Sequence, residues 1–149
     1  MATPTPASDL LKASFKAVEP RANEVVDRFY EKLFTTAPGV RSLFPKDMGA
    51  QKRHLLAALS LVVKDSHRLE VLAAPLREMG KRHVAYGAKP EHYPVVRDTL
   101  LATLAEFAGS MWTGPMAAAW EGAINSVAGV MLAGAAEGAD APEAKRRAA

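Results

Sequence analysis

Hydrophobic positions recur at helical spacing along almost the whole chain. Leu10, Leu11, Phe15 and Val18, with Ser14 among them, share one face of a segment starting at Ser8. Ser8 is a suitable N-cap, Asp9 follows it, and Pro20 ends the segment. A second helix over about 23–36 turns Val26, Phe29, Tyr30, Leu33 and Phe34 inward. Pro38 begins a short turn or helix that reaches Leu43, Phe44 and Pro45, and residues 45–50 read as a loop. A third helix covers about 50–65. Residues 66–75 fit no single period. Pro75 suits a first helical turn, so it can open the next helix and leave Leu72 in the turn before it. Gly87, Lys89 and Pro90 break the chain again. A long helix follows over about 91–109. The last, about 115–136, places Trp120, Ile124, Val127 and Met131 on one face. No segment alternates convincingly as a strand. The pattern predicts an all-α fold of six to eight helices joined by short loops.

Composition narrows the class. A chain of 149 residues suits one domain, and 49% hydrophobic residues can fill its core. The absence of cysteine excludes disulfides, cysteine-ligated zinc, iron–sulfur clusters, thioether-attached c-type haem and cysteine nucleophiles. No run of about 18 apolar residues predicts a membrane span. The N-terminus lacks a charged segment followed by an apolar one, so a cytoplasmic protein is expected. The net charge of +3 is spread among acids and predicts no nucleic-acid surface. Residues 1–7, with Pro4 and Pro6, read as a disordered arm, 8–137 as the domain and 138–149 as a flexible tail. Lys145, Arg146 and Arg147 in that tail read as solvated.

Two stripes carry the candidate chemistry. Leu72, Leu76, Met79 and His83 fall at i, i+4, i+7 and i+11, so an imidazole ends an apolar face. Gln51, Leu55, Ala58 and Val62 repeat the spacing with the polar residue first. Two such faces suggest helices closing on something flat, apolar and able to accept a ligand, and haem fits that description. Taken singly, each residue also has a plain reading. A lone histidine on an apolar face is more often a core histidine bonded to backbone, and Tyr30 or Phe44 alone is an ordinary core aromatic.

The ordered set changes that balance. Phe29-Tyr30, Leu43-Phe44-Pro45, Gln51 with Leu55, Lys81-Arg82-His83 and Pro90-Glu91-His92-Tyr93 follow one another along the chain. Over roughly residues 8–137 this resembles the globin family, specifically the bacterial single-domain globins and the globin domain of flavohaemoglobins. The resemblance implies a globin fold enclosing a haem pocket, with haem b (iron protoporphyrin IX) as cofactor. His83 matches the proximal iron ligand, its second ring nitrogen bonded to a carbonyl or carboxylate. Tyr30 matches the distal tyrosine, whose O–H donates to bound O2, and Gln51 either donates to the ligand or orients Tyr30. Leu55 would cap the iron. Phe44 would clamp the porphyrin edge, a contact worth about 2–3 kcal/mol. Met79 shares the His83 face. His54 reads three ways: beside a propionate, as an internal sixth ligand, or as a partly exposed helix residue. Arg82, like Lys52, Arg53 and Lys81, is a solvated basic residue of which one could pair with a propionate. Tyr93 matches a tyrosine that holds a proximal carboxylate beneath the haem. Counting from Trp120, that carboxylate falls at or near Ala135, whereas the nearest acid is Glu137. Two residues rotate a helix by about 200°, so the relay is expected to be absent unless the last helix is shifted.

The leading expectation is a haem-b globin that binds O2, and other diatomic gases such as NO and CO, and releases O2 slowly. That suits scavenging or sensing better than bulk oxygen transport. The alternative is a nitric oxide dioxygenase that depends on an external reductase, because 149 residues leave no room for a flavin and NAD domain. A third reading is a haem-free, globin-like regulatory domain.

Overall fold

The structure, a computed structural model, describes residues 6–140. Six α-helices are present among the described residues: α1 Ala7–Val18, α2 Ala22–Thr36, α3 Gly49–Lys64, α4 Ala73–Ala85, α5 His92–Ala108 and α6 Gly114–Asp140. Short 3-10 segments join them at Glu19–Arg21, Pro38–Leu43, Ser66–Leu72 and Gly109–Met111. No strand occurs among the described residues. The all-α expectation holds, and α4 opens two residues before Pro75, leaving Leu72 in the preceding segment.

Helix ends depart from the sequence reading where backbone supplies the cap. α1 starts at Ala7, not Ser8, and the Pro6 carbonyl accepts the N–H groups of Asp9 and Leu10 at 3.0 and 3.2 Å. Pro20 falls inside a 3-10 turn that carries the chain into α2. The Asp47 carboxylate accepts the Gly49 N–H at 2.9 Å and so opens α3. His92 has a structural task at the start of α5, where its Nδ1 accepts the Lys89 N–H at 3.0 Å. α6 runs to Asp140, past the expected end near 136, since the next proline is Pro142. The arm and tail expectations for 1–5 and 141–149 lie outside the described residues.

Packing follows the predicted faces. Leu11, Phe15, Val18, Val25, Phe29, Tyr30, Leu33 and Leu104 form the main core around Trp120, which is fully buried. The Trp120 Nε1–H donates to the Ser14 hydroxyl at 2.8 Å, and Ser14 donates in turn to the Leu10 carbonyl at 2.7 Å. A polar residue on the inner face of α1 is thereby fully satisfied. Lys52 and Asp27 pair at 2.9 Å and tie α3 to α2. A second cluster, Leu72, Leu76 and Met131, joins α4 to α6.

Two glycines set how closely α4 and α6 approach. A Cβ on Gly80 would overlap the Met131 carbonyl oxygen and lie 2.6 Å from its carbon. A Cβ on Gly134 would overlap the Arg77 carbonyl oxygen and lie 2.6 Å from the Arg77 Cα. The two helices therefore touch backbone to backbone, one turn before His83. Within α6, Gly114–Ala136 has the length and mean hydropathy, 1.2, of a membrane-crossing helix. Met116, Ala119, Trp120, Ala123 and Met131 on it are buried, so this helix carries part of the protein's own core.

Candidate functional site

Tyr30 and Gln51 come together. The Gln51 Nε2–H donates to the Tyr30 hydroxyl oxygen at 3.1 Å, linking α2 to the first turns of α3. Tyr30 is 4% exposed. Burial raises its phenol above the ordinary value of 10.0, and the Gln51 bond offsets this in part. At neutral pH the hydroxyl keeps its proton. With its oxygen occupied by Gln51, that proton is available to another acceptor.

An aromatic cage fixes the Tyr30 ring. Phe29 meets it edge-on at 4.9 Å and Phe44 edge-on at 5.6 Å, while Phe34 lies at 5.8 Å. Phe34 and Phe44 also meet edge-on at 5.4 Å. Phe44 is thus packed against the tyrosine as well as partly open. Phe34 belongs to this cage, although its sequence pattern marks it only as one more inward residue of α2.

His83 stands near the end of α4, partly buried. Its Nδ1 lies 2.7 Å from the Met79 carbonyl, which accepts the Nδ1–H. That tautomer leaves Nε2 with a free lone pair. Burial lowers the imidazole below 6.5, the Met79 carbonyl opposes the shift, and the Arg82 charge adds to it. The ring is therefore neutral at pH 7 and suited to coordinate a metal. The carbonyl is the alternative to a carboxylate partner that the sequence leaves open. Tyr86, at 58% exposure, packs its ring 5.8 Å from the imidazole.

One contact joins the two halves of the site. Leu43, next to Phe44, lies against Gly87 in the turn after α4, and a Cβ there would meet its Cδ2 at 3.0 Å. Gly87 has φ of +95°, so glycine suits the position on both counts. Leu55 and Met79 are partly buried, the first against the main core and the second against the Leu72–Leu76–Met131 cluster. Tyr93 also packs on that second cluster. Its hydroxyl finds no partner among the described residues, and it borders an open cleft with Arg97 and Asn125. No carboxylate bonds to Tyr93 or His83 among the described residues. Ala135 is partly buried, and the Glu137 side chain lies outside the described part. His54 and Arg82 sit on exposed faces of α3 and α4. Lys81 pairs with Glu78 at 3.2 Å.

The donor set limits what could be held here. No group of three or more His, Asp or Glu able to cage an ion exists among the described residues. One neutral imidazole, a phenol donor and partly buried Phe44, Leu55 and Met79 do not hold a bare cation. They would suit a metal that arrives in a flat apolar ring with most of its coordination already filled, to which His83 would offer one further nitrogen. The residues present therefore fit haem.

Comparison with known proteins agrees. A family model for globins matches residues 27–131, and the chain belongs to the globin family. The flavohaemoprotein of Rhizobium meliloti is 26% identical over 126 residues, which is 83% of this chain and 31% of the relative. That of Bacillus cereus is 30% identical over 105 residues, 68% of this chain and 26% of the relative. The chain thus spans about a third or less of the length of these relatives. A bacterial globin from Campylobacter jejuni superposes with a TM-score of 0.80 at 22% identity, over 91% of this chain and 98% of that one. An engineered carbene transferase from Rhodothermus marinus, derived from a candidate nitric oxide dioxygenase, superposes with a TM-score of 0.79 at 26% identity, over 91% and 95%.

Proposed function

We propose that this globin binds haem b and uses it to hold O2, and NO or CO in its place, with slow release. His83 would supply a nitrogen to its iron, and Phe44, Leu55 and Met79 would supply apolar contact. Tyr93 would add a further contact, and the exposed bases Arg82 and His54 would be available to its carboxylates. Haem, when bound, supplies an iron with one position open to a diatomic gas. The carrying observation is the Gln51–Tyr30 hydrogen bond of 3.1 Å. It uses the glutamine N–H on the phenol oxygen and leaves the phenol proton to donate to the gas. In a buried setting such a donor holds a polarised ligand more strongly than it would in water. Gln51 in this reading orients Tyr30.

A nitric oxide dioxygenase activity with electrons from an external reductase is the second reading. Its support is the kinship with flavohaemoproteins and with the Rhodothermus marinus protein. Both readings are tested by the visible spectrum of the haem-loaded, reduced chain before and after O2. One broad band should give way to two sharp ones, be lost in His83→Gly and return with added imidazole. No haem uptake, or a His83→Gly spectrum like that of the wild type, overturns the proposal. Nitrate formation from NO, sustained by an added flavin reductase and NADH, separates the second reading from the first.

A further inference from the structure

Arg41 has no part in the sequence reading, yet it is the most heavily connected polar side chain beside the Tyr30 cage. It stands in the last turn of the Pro38–Leu43 segment. Its Nη1 donates to the Phe44 carbonyl at 3.3 Å and the Pro45 carbonyl at 3.0 Å, and its Nη2 to the Lys46 carbonyl at 3.2 Å. The same guanidinium lies over the Phe34 ring, 5.1 Å from its centroid. One planar group thus gathers three successive carbonyls of the bent loop that carries Phe44, and rests on the neighbouring aromatic. Phe34 and Phe44 in turn touch Tyr30 from two sides. A planar fork can satisfy separate acceptors on one side and stack on a ring, which an ammonium point charge cannot do together.

We propose that Arg41 is a positioning residue for the distal site: by fastening the 44–46 backbone over Phe34, it fixes Phe44 and, through both rings, the direction of the Tyr30 hydroxyl. Its gas-binding consequence rests on the function proposed above; its structural content does not. The hydrogen bonds of Arg41 go to the 44–46 carbonyls and its stacking to Phe34, so its effect on Tyr30 passes through the cage.

Two readouts separate the two levels. In the full chain without haem, the ring protons of Tyr30 carry ring-current shifts from Phe34 and Phe44. Arg41→Met should collapse these shifts while far-UV circular dichroism stays helical. Arg41→Lys, which keeps charge but not the fork, should reduce them partly, and it decides the matter if the methionine variant does not fold. Wild-type shifts in the folded variant overturn the proposal. In the haem-loaded chain, Arg41→Met should speed O2 dissociation by about three- to tenfold, roughly the loss of one well-aligned hydrogen bond. It should also move the C–O stretch of the CO complex toward that of Tyr30→Phe, and add nothing further in the Tyr30→Phe background. An equal effect in that background overturns the route through Tyr30. Failure of the wild type to take up haem refutes the proposed function, and the ring shifts still decide the role of Arg41.

Discussion

Replacing Gly80 with alanine sets two effects against each other, and the structure decides between them. Glycine in a helix interior is less favourable than alanine by about 0.5–1 kcal/mol, so helix propensity predicts stabilisation. The added Cβ would overlap the Met131 carbonyl oxygen and sit 2.6 Å from its carbon and 2.8 Å from its Cα. Ordinary carbon contact is near ~3.5 Å, so α4 and α6 must part by about 1 Å. The obstacle is backbone on both sides, with no side chain that can rotate away. Overpacking of this kind costs about 1–3 kcal/mol, and a rigid obstacle puts it at the upper end. Net destabilisation of about 2 kcal/mol follows, or about 4–8 °C in Tm for a domain of this size. Urea unfolding of the haem-free chain, followed by tryptophan fluorescence, measures it. Gly122→Ala on α6, where nothing lies within 4 Å of the new Cβ, is the control and should stabilise by about 0.5–1 kcal/mol. A Gly80→Ala midpoint equal to or above that of the wild type would refute the close crossing.

Other outcomes follow from the same geometry. Tyr30→Phe removes the phenol proton and should speed O2 release about tenfold, with a smaller effect of about threefold for Gln51→Leu, as stopped-flow dissociation will show. Equal effects of the two would mean that Gln51 touches the ligand itself. Ser14→Ala leaves the buried Trp120 N–H without its acceptor and should cost about 1–3 kcal/mol in chemical denaturation. The His83 imidazole binds its proton less readily folded than unfolded, so its contribution to stability is complete above the ordinary value of 6.5. That contribution is lost as pH falls from there toward the lowered folded value, where a proton also competes for Nε2. Haem retention, read from the Soret band, should fall over the same range, and a flat profile from pH 7 to 5 would contradict it.

Periodicity made the elements legible because each helix has one buried face, and Leu11, Phe29, Leu33, Leu76 and Trp120 are all buried as their spacing predicts. The Tyr30–Gln51 pairing was open in the sequence, since both residues fit plain core or surface roles until α2 and α3 are placed side by side. Other features could not be read from local pattern at all. Nothing in the spacing around Gly80 points to Met131, and nothing around Arg41 points to the 44–46 carbonyls. Both depend on contacts whose partners a local window of sequence does not identify. The Ser8 cap failed for the opposite reason: a good capping side chain was in place, but the Pro6 carbonyl met the helix start one residue earlier.

The partner of His83 bears on which chemistry the site favours. A carboxylate on Nδ1 would draw its proton, give the imidazole anionic character and raise its basicity at Nε2. A backbone carbonyl is a weaker acceptor that leaves the Nδ1 proton on the ring, and the nearby Arg82 charge opposes imidazolium formation. With His83 as the proposed haem ligand, the nitrogen offered would be that of a neutral imidazole, which would favour holding a gas over cleaving an O–O bond. In the proposed function, Tyr30 and Gln51 would stabilise a polarised ligand without a charged acid to protonate it. In that reading, weak electron donation from His83 and a neutral hydrogen bond from Tyr30 would both favour retention over turnover. Sustained dioxygenase activity, if added reductase elicits it, would then draw on the long residence of O2 beside Tyr30, and Tyr30→Phe should lower it more than any substitution at Arg82 or His54.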